Sequence, residues 1–258
     1  MNKIDQQTFT VLIVDGNDHS RIAISDSLDN AGLGTVEAKN SKLAKLYFNQ
    51  INPDLVLMDL DLPDTAGGLK LCTELASSAD QANTPVIVLS RHNDTKLAAA
   101  AFDAGASDFV HHPIDYLILI QRSRYQIRAR QNLISLTRRE RILEHAERIA
   151  KMGSWEWDSR SSRLYVSKEF NRILGFEEQR STRVKDVLHR LPESERLKIM
   201  EYFQQHDSKH QGTLTLHHRV PSEAGIGRTL RHEARFILHN DKDYSVYGTI
   251  HDITDEVA

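Results

Sequence analysis

The chain has one cysteine, Cys72, in 258 residues, so no intramolecular disulfide framework holds it together, and such sparing use fits a reducing compartment. No apolar run approaches the roughly 20 residues needed to span a bilayer; the best, Tyr116–Ile120, is far too short. The opening MNKIDQQTFT lacks the apolar segment of a secretory signal. An excess of charge of one sign is lacking as well. Lys and Arg number 33 against 36 Asp and Glu, and the net charge of −3 selects neither a nucleic acid nor an anionic membrane as partner. No nucleophile–base or catalytic metal-spacing motif stands out, which makes a stand-alone enzyme the weakest reading. These absences predict a cytoplasmic, non-enzymatic protein with neither a membrane nor a nucleic-acid partner.

What is present suits two ordinary domains, each with its own core. In the first, apolar β-branched runs at Val11–Val14, Thr35–Val36, Leu55–Met58, Val86–Leu89 and Phe109–Val110 alternate with amphipathic stretches. Those stretches are Arg21–Leu28, Leu43–Phe48, Leu69–Leu75 and Leu97–Phe102. Five strands alternating with helices imply a parallel sheet covered on both faces. The site of such a sheet lies outside the carboxyl ends of its strands, where the strand order reverses. Asp15, Asp59 and Ser90 fall at those ends.

From Ile114 to Ala150 there is no internal Pro or Gly, and the composition favours one long helix. An apolar seam of Leu117, Ile120, Ile127 and Ile134 predicts an imperfect coiled coil, interrupted at Arg124, Gln131 and Arg138 and shifted in phase beyond. The arginines here read as a solvated face, because stacking aromatics are nearly absent. After Met152-Gly153 the pattern turns to β, with Ser154–Asp158 placing Trp155 and Trp157 on one face. Longer strands are predicted at Gly212–Val220, Arg228–Leu238 and Tyr244–Ile253, with helical patterns between residues 168 and 205. An antiparallel sheet with helices on one side follows.

Four clusters carry a family resemblance: VLIVDGNDHSR (11–21), PDLVLMDLDLPDTAGG (53–68), PVIVLSR (85–91) and AGASDFVHHP (104–113). In order and spacing, residues 9–125 resemble the receiver domain of bacterial response regulators. The resemblance implies a flavodoxin-like fold with a five-stranded parallel sheet, and a phosphoryl group accepted from a histidine kinase with the help of Mg²⁺. By position Asp59 is the acceptor and Asp15 the first acid of the metal pair, with Asp61 a further carboxylate two residues past the acceptor. Ser90 matches the hydroxyl residue and Phe109 the switch aromatic. Two positions depart from the pattern: Gly16 stands where the second acid belongs, and His112 stands for the lysine before Pro113. Losing an acid weakens Mg²⁺ ligation by Asp15, Asp59 and Asp61. Histidine is shorter than lysine and, with a reference pKa near ~6.5, mostly uncharged at pH 7. Arg91 follows the hydroxyl where a small residue is usual, and either obstructs the pocket or replaces the lost cation. The departures weigh towards a degenerate receiver; the competing reading is a working acceptor at Asp59.

Residues 146–258 resemble a PAS sensor domain, with the domain itself placed at 151–258, through AKMGSWEWD (150–158), ILGF (173–176) and GTIHDIT (248–254). The resemblance implies ligand binding, dimerisation or signal relay through Asp252 and Thr254, with Thr254 capping a following helix. No ligand follows from the residues. The absence of cysteine from this region excludes a cysteine-adduct flavin, and none of the strand histidines His217, His218, His232, His239 and His251 reads as a haem ligand. Trp155 and Trp157 read as core packing rather than as a pocket wall. Together the two resemblances imply an α/β receiver and an α+β PAS domain joined by a long helix over residues 114–150, which overlaps the last receiver helix. The apolar seam of that helix predicts a parallel homodimer, and the domain order implies a carboxyl-terminal effector that makes or degrades cyclic di-GMP, with a histidine kinase as the lesser alternative.

Overall fold

A computed structural model describes residues 9–63, 67–78, 84–92, 94–177, 181–189, 191–204, 213–220, 227–240 and 243–256. The chain divides into two compact units, Met1–Leu136 and Thr137–Ala258.

The first unit alternates β1 (Thr10–Val14), α1 (Asp18–Asn30), β2 (Gly34–Ala38), α2 (Ser41–Ile51), β3 (Leu55–Asp59), α3 (Gly68–Ala76), β4 (Val86–Ser90), α4 (Thr95–Asp103) and β5 (Asp108–His111), and ends in α5 (Tyr116–Ala150). All strands are parallel in the order β2-β1-β3-β4-β5, so the order reverses between β1 and β3. Alternation along the strands builds two cores. Leu12, Val14, Val56, Met58 and Val88 face Ala44 and Phe48 of α2 and Leu71 of α3. Val11, Ile13, Leu55, Leu57 and Ile87 face Ile24 and Leu28 of α1 and Leu119 and Ile127 of α5. The helices begin where the sequence supplies caps: the side chains of Asn17, Asn40 and Asp94 accept from the N–H groups of Ser20, Leu43 and Lys96.

The long helix is present but its predicted seam is not one face. Leu119, Ser123 and Ile127, spaced by four, form the buried stripe of its first half, and Ile114 and Ile120 pack beside it. Ile127 and Ile120 thus belong to the first unit's own core, whereas Leu117 and Ile134 are exposed. Three arginines of the predicted solvated face also work locally. Arg122 pairs with Asp108 and Arg130 with Asp54, and Arg124 donates to the carbonyl of Ala31, the C-cap of α1. No helix among the described residues is long and apolar enough to cross a membrane.

The second unit contains β6 (Met152–Asp158), β7 (Arg163–Val166), α6 (Lys168–Leu174), β8 (Ser181–Arg183), α7 (Val184–Leu188), α8 (Glu193–Gln204), β9 (Leu214–Val220), β10 (Arg228–Leu238) and β11 (Tyr244–Asp252). Its antiparallel sheet runs β8-β7-β6-β11-β10-β9, which sets the predicted first and last strands side by side at the centre. Gly212 lies outside the described residues. One sheet face packs a core of Trp155, Leu164, Leu214, Val220, Leu230, Ala234, Val246 and Ile250 against Phe170 and Ile173 of α6 and Val187 of α7. Gly248 lies opposite Trp155, and a Cβ there would collide with the indole ring, so the missing side chain lets the tryptophan lie across the sheet.

Candidate functional site

Strands β1 and β3 deliver two acids to the switch point. Asp15 follows β1, Asp59 ends β3, and both are almost wholly buried, each at 1% exposure. Each is fixed by a turn of its own loop: Asp15 Oδ1 accepts from the N–H of Asn17 at 2.7 Å, and Asp59 Oδ1 from the N–H of Asp61 at 2.7 Å. The second oxygens, Asp15 Oδ2 and Asp59 Oδ2, are buried without hydrogen-bond partners in the described structure. Burial raises the Asp59 pKa above the usual carboxylate value, opposed by the Asp61 N–H and reinforced by the charges of Asp15 and Asp61.

The other predicted residues divide. His112 comes close: its Nε2 lies 3.9 Å from Asp59 Oδ2 and is itself buried without a hydrogen-bond partner. Its position is set by its N–H, which donates to the carbonyl of Ser90, and it precedes a cis peptide bond to Pro113. Ser90 is buried at the end of β4, but its hydroxyl turns to its own loop, accepting from the N–H of His92 at 3.1 Å. Arg91 is exposed, and its charge acts weakly on Asp59, favouring the ionised form. Asp61 turns outwards, its carboxylate 3.9 Å from His92 Nε2. Phe109 packs against the α2–α3 core and borders a groove with Thr95 and Ala98 of α4.

Among the described residues no three His, Cys, Asp or Glu side chains are placed to share a metal ion. The fit for Mg²⁺ is therefore that of two carboxylates, Asp15 and Asp59, whose unpartnered buried oxygens suit a cation that completes its shell with water and phosphate. The acid missing at Gly16 is also blocked: a Cβ there would stand 2.7 Å from Cδ of Pro63.

In the second unit Asp252 and Thr254 meet. Asp252 Oδ1 accepts from the Thr254 N–H at 3.1 Å and hydroxyl at 2.6 Å, while Thr254 Oγ1 accepts from the Thr229 N–H at 3.0 Å. The hydroxyl thus also ties this segment to β10, and Thr254–Glu256 form a 3-10 turn. Trp155 and Trp157 pack in the core as expected, yet both also border a cavity of about 510 Å³ between the sheet, α7 and α8. The pair His218 and His232 inside it escaped the sequence reading, although parity with Leu216 and Ala234 sets both on the inner face. His239 lies in the bend after β10 rather than on a strand.

Residues 11–124 match the response regulator receiver domain family. The chain is 30% identical over 150 residues to the regulatory protein AtoC of Escherichia coli, covering 57% of this chain and 30% of that protein. It is 29% identical over 121 residues to a cyclic di-GMP phosphodiesterase of Thermotoga maritima, covering 47% of this chain and 32% of that one. The chain thus spans about a third of either relative. The receiver domain of Francisella response regulator 1452 is similar at 25% identity with a TM-score of 0.44, covering 47% of this chain and 98% of that one.

Proposed function

We propose that this chain, whose residues 11–124 are the receiver domain of a two-component signalling protein, is a regulatory module in which a poorly accepting receiver is joined through α5 to a PAS-type sensor. The observation that carries the receiver half is the pairing of a retained acceptor with two failed auxiliaries. Asp59 is in place, but Pro63 fills the space beside Gly16, and His112 stops 3.9 Å short of Asp59 Oδ2. In the reaction, a carboxylate oxygen of Asp59 attacks the phosphorus of the donor, the donor's bond to phosphorus breaks, and the leaving group departs with the electron pair. Mg²⁺, when held by Asp15 and Asp59, supplies positive charge to the phosphoryl oxygens. Burial raises the hold of the Asp59 carboxyl on its proton, and a cation beside it would favour the ionised form that attacks. The unpartnered oxygens of both acids favour a second reading, a receiver that works once a cation and a dedicated histidine kinase are supplied.

The sensor half is supported by the antiparallel sheet, in which the GSWEW strand β6 and the closing strand β11 pair directly, Trp155 opposite Gly248. We further propose a homodimer through the exposed apolar residues of α5, and an effector that makes or degrades cyclic di-GMP, a class to which the Thermotoga relative belongs by name. Incubation of the full chain with acetyl phosphate and Mg²⁺, read by intact mass, tests the receiver assignment. A small phosphorylated fraction that disappears in Asp59→Asn is expected; phosphorylation surviving that substitution would displace the site from Asp59.

A further inference from the structure

We infer that the cavity of the second unit binds an uncharged, flat, largely apolar molecule carrying one hydroxyl, or an adjacent N–H and C=O pair, which His218 and His232 read. The inference deepens the sensor reading of this unit, and its failure would leave the assignment of Asp59 untouched.

Size comes first. About 510 Å³ lies within the range of roughly 300–1,000 Å³ typical of small-molecule sites. Protein interiors are otherwise filled to crystal density, and apolar walls offer water few partners, so a space this large is suited to an organic occupant. Its walls include Trp157, Leu188, Ile199, Met200 and Phe236, and among the described residues no Lys, Arg, Asp or Glu lines it. An ionic ligand would lose much of its water there with no opposite charge among the described lining residues.

Flat aromatic surfaces bound the space. Trp157 meets Tyr244 edge-on with ring centroids 5.5 Å apart, and Trp155 is tilted against His232 at 6.3 Å. Planar ligands exploit such walls through offset and edge contacts.

The polar feature is the histidine pair, contributed by neighbouring strands β9 and β10. Leu230 pairs with His218, and His232 lies two residues on, so the two rings are diagonal neighbours on the inner face. The rings stack with centroids 4.7 Å apart and planes at 25°, and their Nε2 atoms are 2.7 Å apart. One nitrogen must donate and the other accept. Burial holds both imidazoles uncharged at neutral pH: it lowers His232 to about 3 and also lowers His218, against the pull of Glu195. The pair therefore presents one N–H and one lone pair side by side. A hydroxyl can replace the single histidine–histidine bond with two, accepting from the N–H and donating to the lone pair. A carboxylate offers acceptors only, leaving the imidazole lone pair against a negative charge.

The test uses the full chain, whose only two tryptophans both border the cavity, so quenching of their emission reports occupancy. The probes are 2-naphthol, naphthalene and 2-naphthoate at pH 7. Saturable quenching by 2-naphthol is expected, with naphthalene at least about fivefold weaker, as one to two neutral hydrogen bonds require, and naphthoate weaker still. In the double variant His218→Leu, His232→Leu, which leaves neither partner orphaned, naphthol and naphthalene should bind alike. Should that variant fail to fold, Leu188→Phe narrows the cavity without touching the histidines and should weaken 2-naphthol at least about fivefold. Absence of saturable quenching, naphthoate binding as tightly as naphthol, a naphthol preference surviving in the double variant, or undiminished binding in Leu188→Phe overturns the inference.

Discussion

His112 Nε2 and Asp59 Oδ2 face each other at 3.9 Å, both buried and both without a hydrogen-bond partner in the described structure. The gap is too long for a hydrogen bond. It sits where the receiver resemblance implies a lysine. A lysine's longer stem would bring a permanent cation to the phosphoryl oxygens. His112→Lys should therefore raise the acyl-phosphate yield about threefold to tenfold, equivalent to about 1 kcal/mol. The check is intact mass after fixed exposure to a small phosphodonor.

Gly16→Asp should not restore the metal site by itself. The new Cβ meets the Pro63 ring at 2.7 Å, and overpacking of this kind costs about 1–3 kcal/mol. Urea denaturation should show that loss for the single variant and its recovery when Pro63→Ala is added. Only the paired variant should then bind Mg²⁺ more tightly than the original chain, measured by calorimetry.

The sheet and its site were legible because β1, β3 and β4 are apolar runs that lead directly into a polar residue, as at Val14-Asp15, Met58-Asp59 and Leu89-Ser90. What the residues could not disclose was Pro63 leaning over Gly16, a contact between loops 47 residues apart (63 − 16). The α5 seam was misread for a related reason. Periodicity finds apolar faces but not the surface each one meets, and Ile127 meets β-sheet core rather than another helix. Strands β7 and β8, with four and three residues, were too short to show a period. The histidine pair was missed because His218 and His232 were weighed singly as ligands, not as diagonal neighbours.

Assembly should depend on the far half of α5. Leu136 and Leu143, seven residues apart and 62% and 65% exposed, repeat at heptad spacing. Leu136→Glu with Leu143→Glu should leave the circular-dichroism melt unchanged and shift the light-scattering mass from dimer to monomer. Ile127→Glu is the contrasting variant: it places an unpaired charge in the receiver core and should destabilise that unit by about 3 kcal/mol or more. A wild-type monomer at tens of micromolar would exclude this helix as the assembly element.

Acid should loosen the second unit. Burial depresses the pKa of His232 from 6.5 to about 3 and also lowers that of His218, so the unfolded chain binds more protons than the folded one across that window. Stability then rises with pH between about 3 and 6.5 and is lost as pH falls, by at most about 1.4 kcal/mol per pH unit for each histidine. Tryptophan-detected denaturation at stepped pH should show that slope. The His218→Leu, His232→Leu variant should flatten it.

The central claim is that this receiver keeps its acceptor but has lost the groups that make acceptance efficient. Its most direct measurement compares the phosphorylated fraction at Asp59 in the original chain and in the Gly16→Asp, Pro63→Ala, His112→Lys variant, under the same phosphodonor and Mg²⁺. The account predicts a minor fraction in the original chain and a severalfold larger one in the variant, both abolished by Asp59→Asn. Near-complete phosphorylation of the original chain, with no gain in the variant, would contradict it.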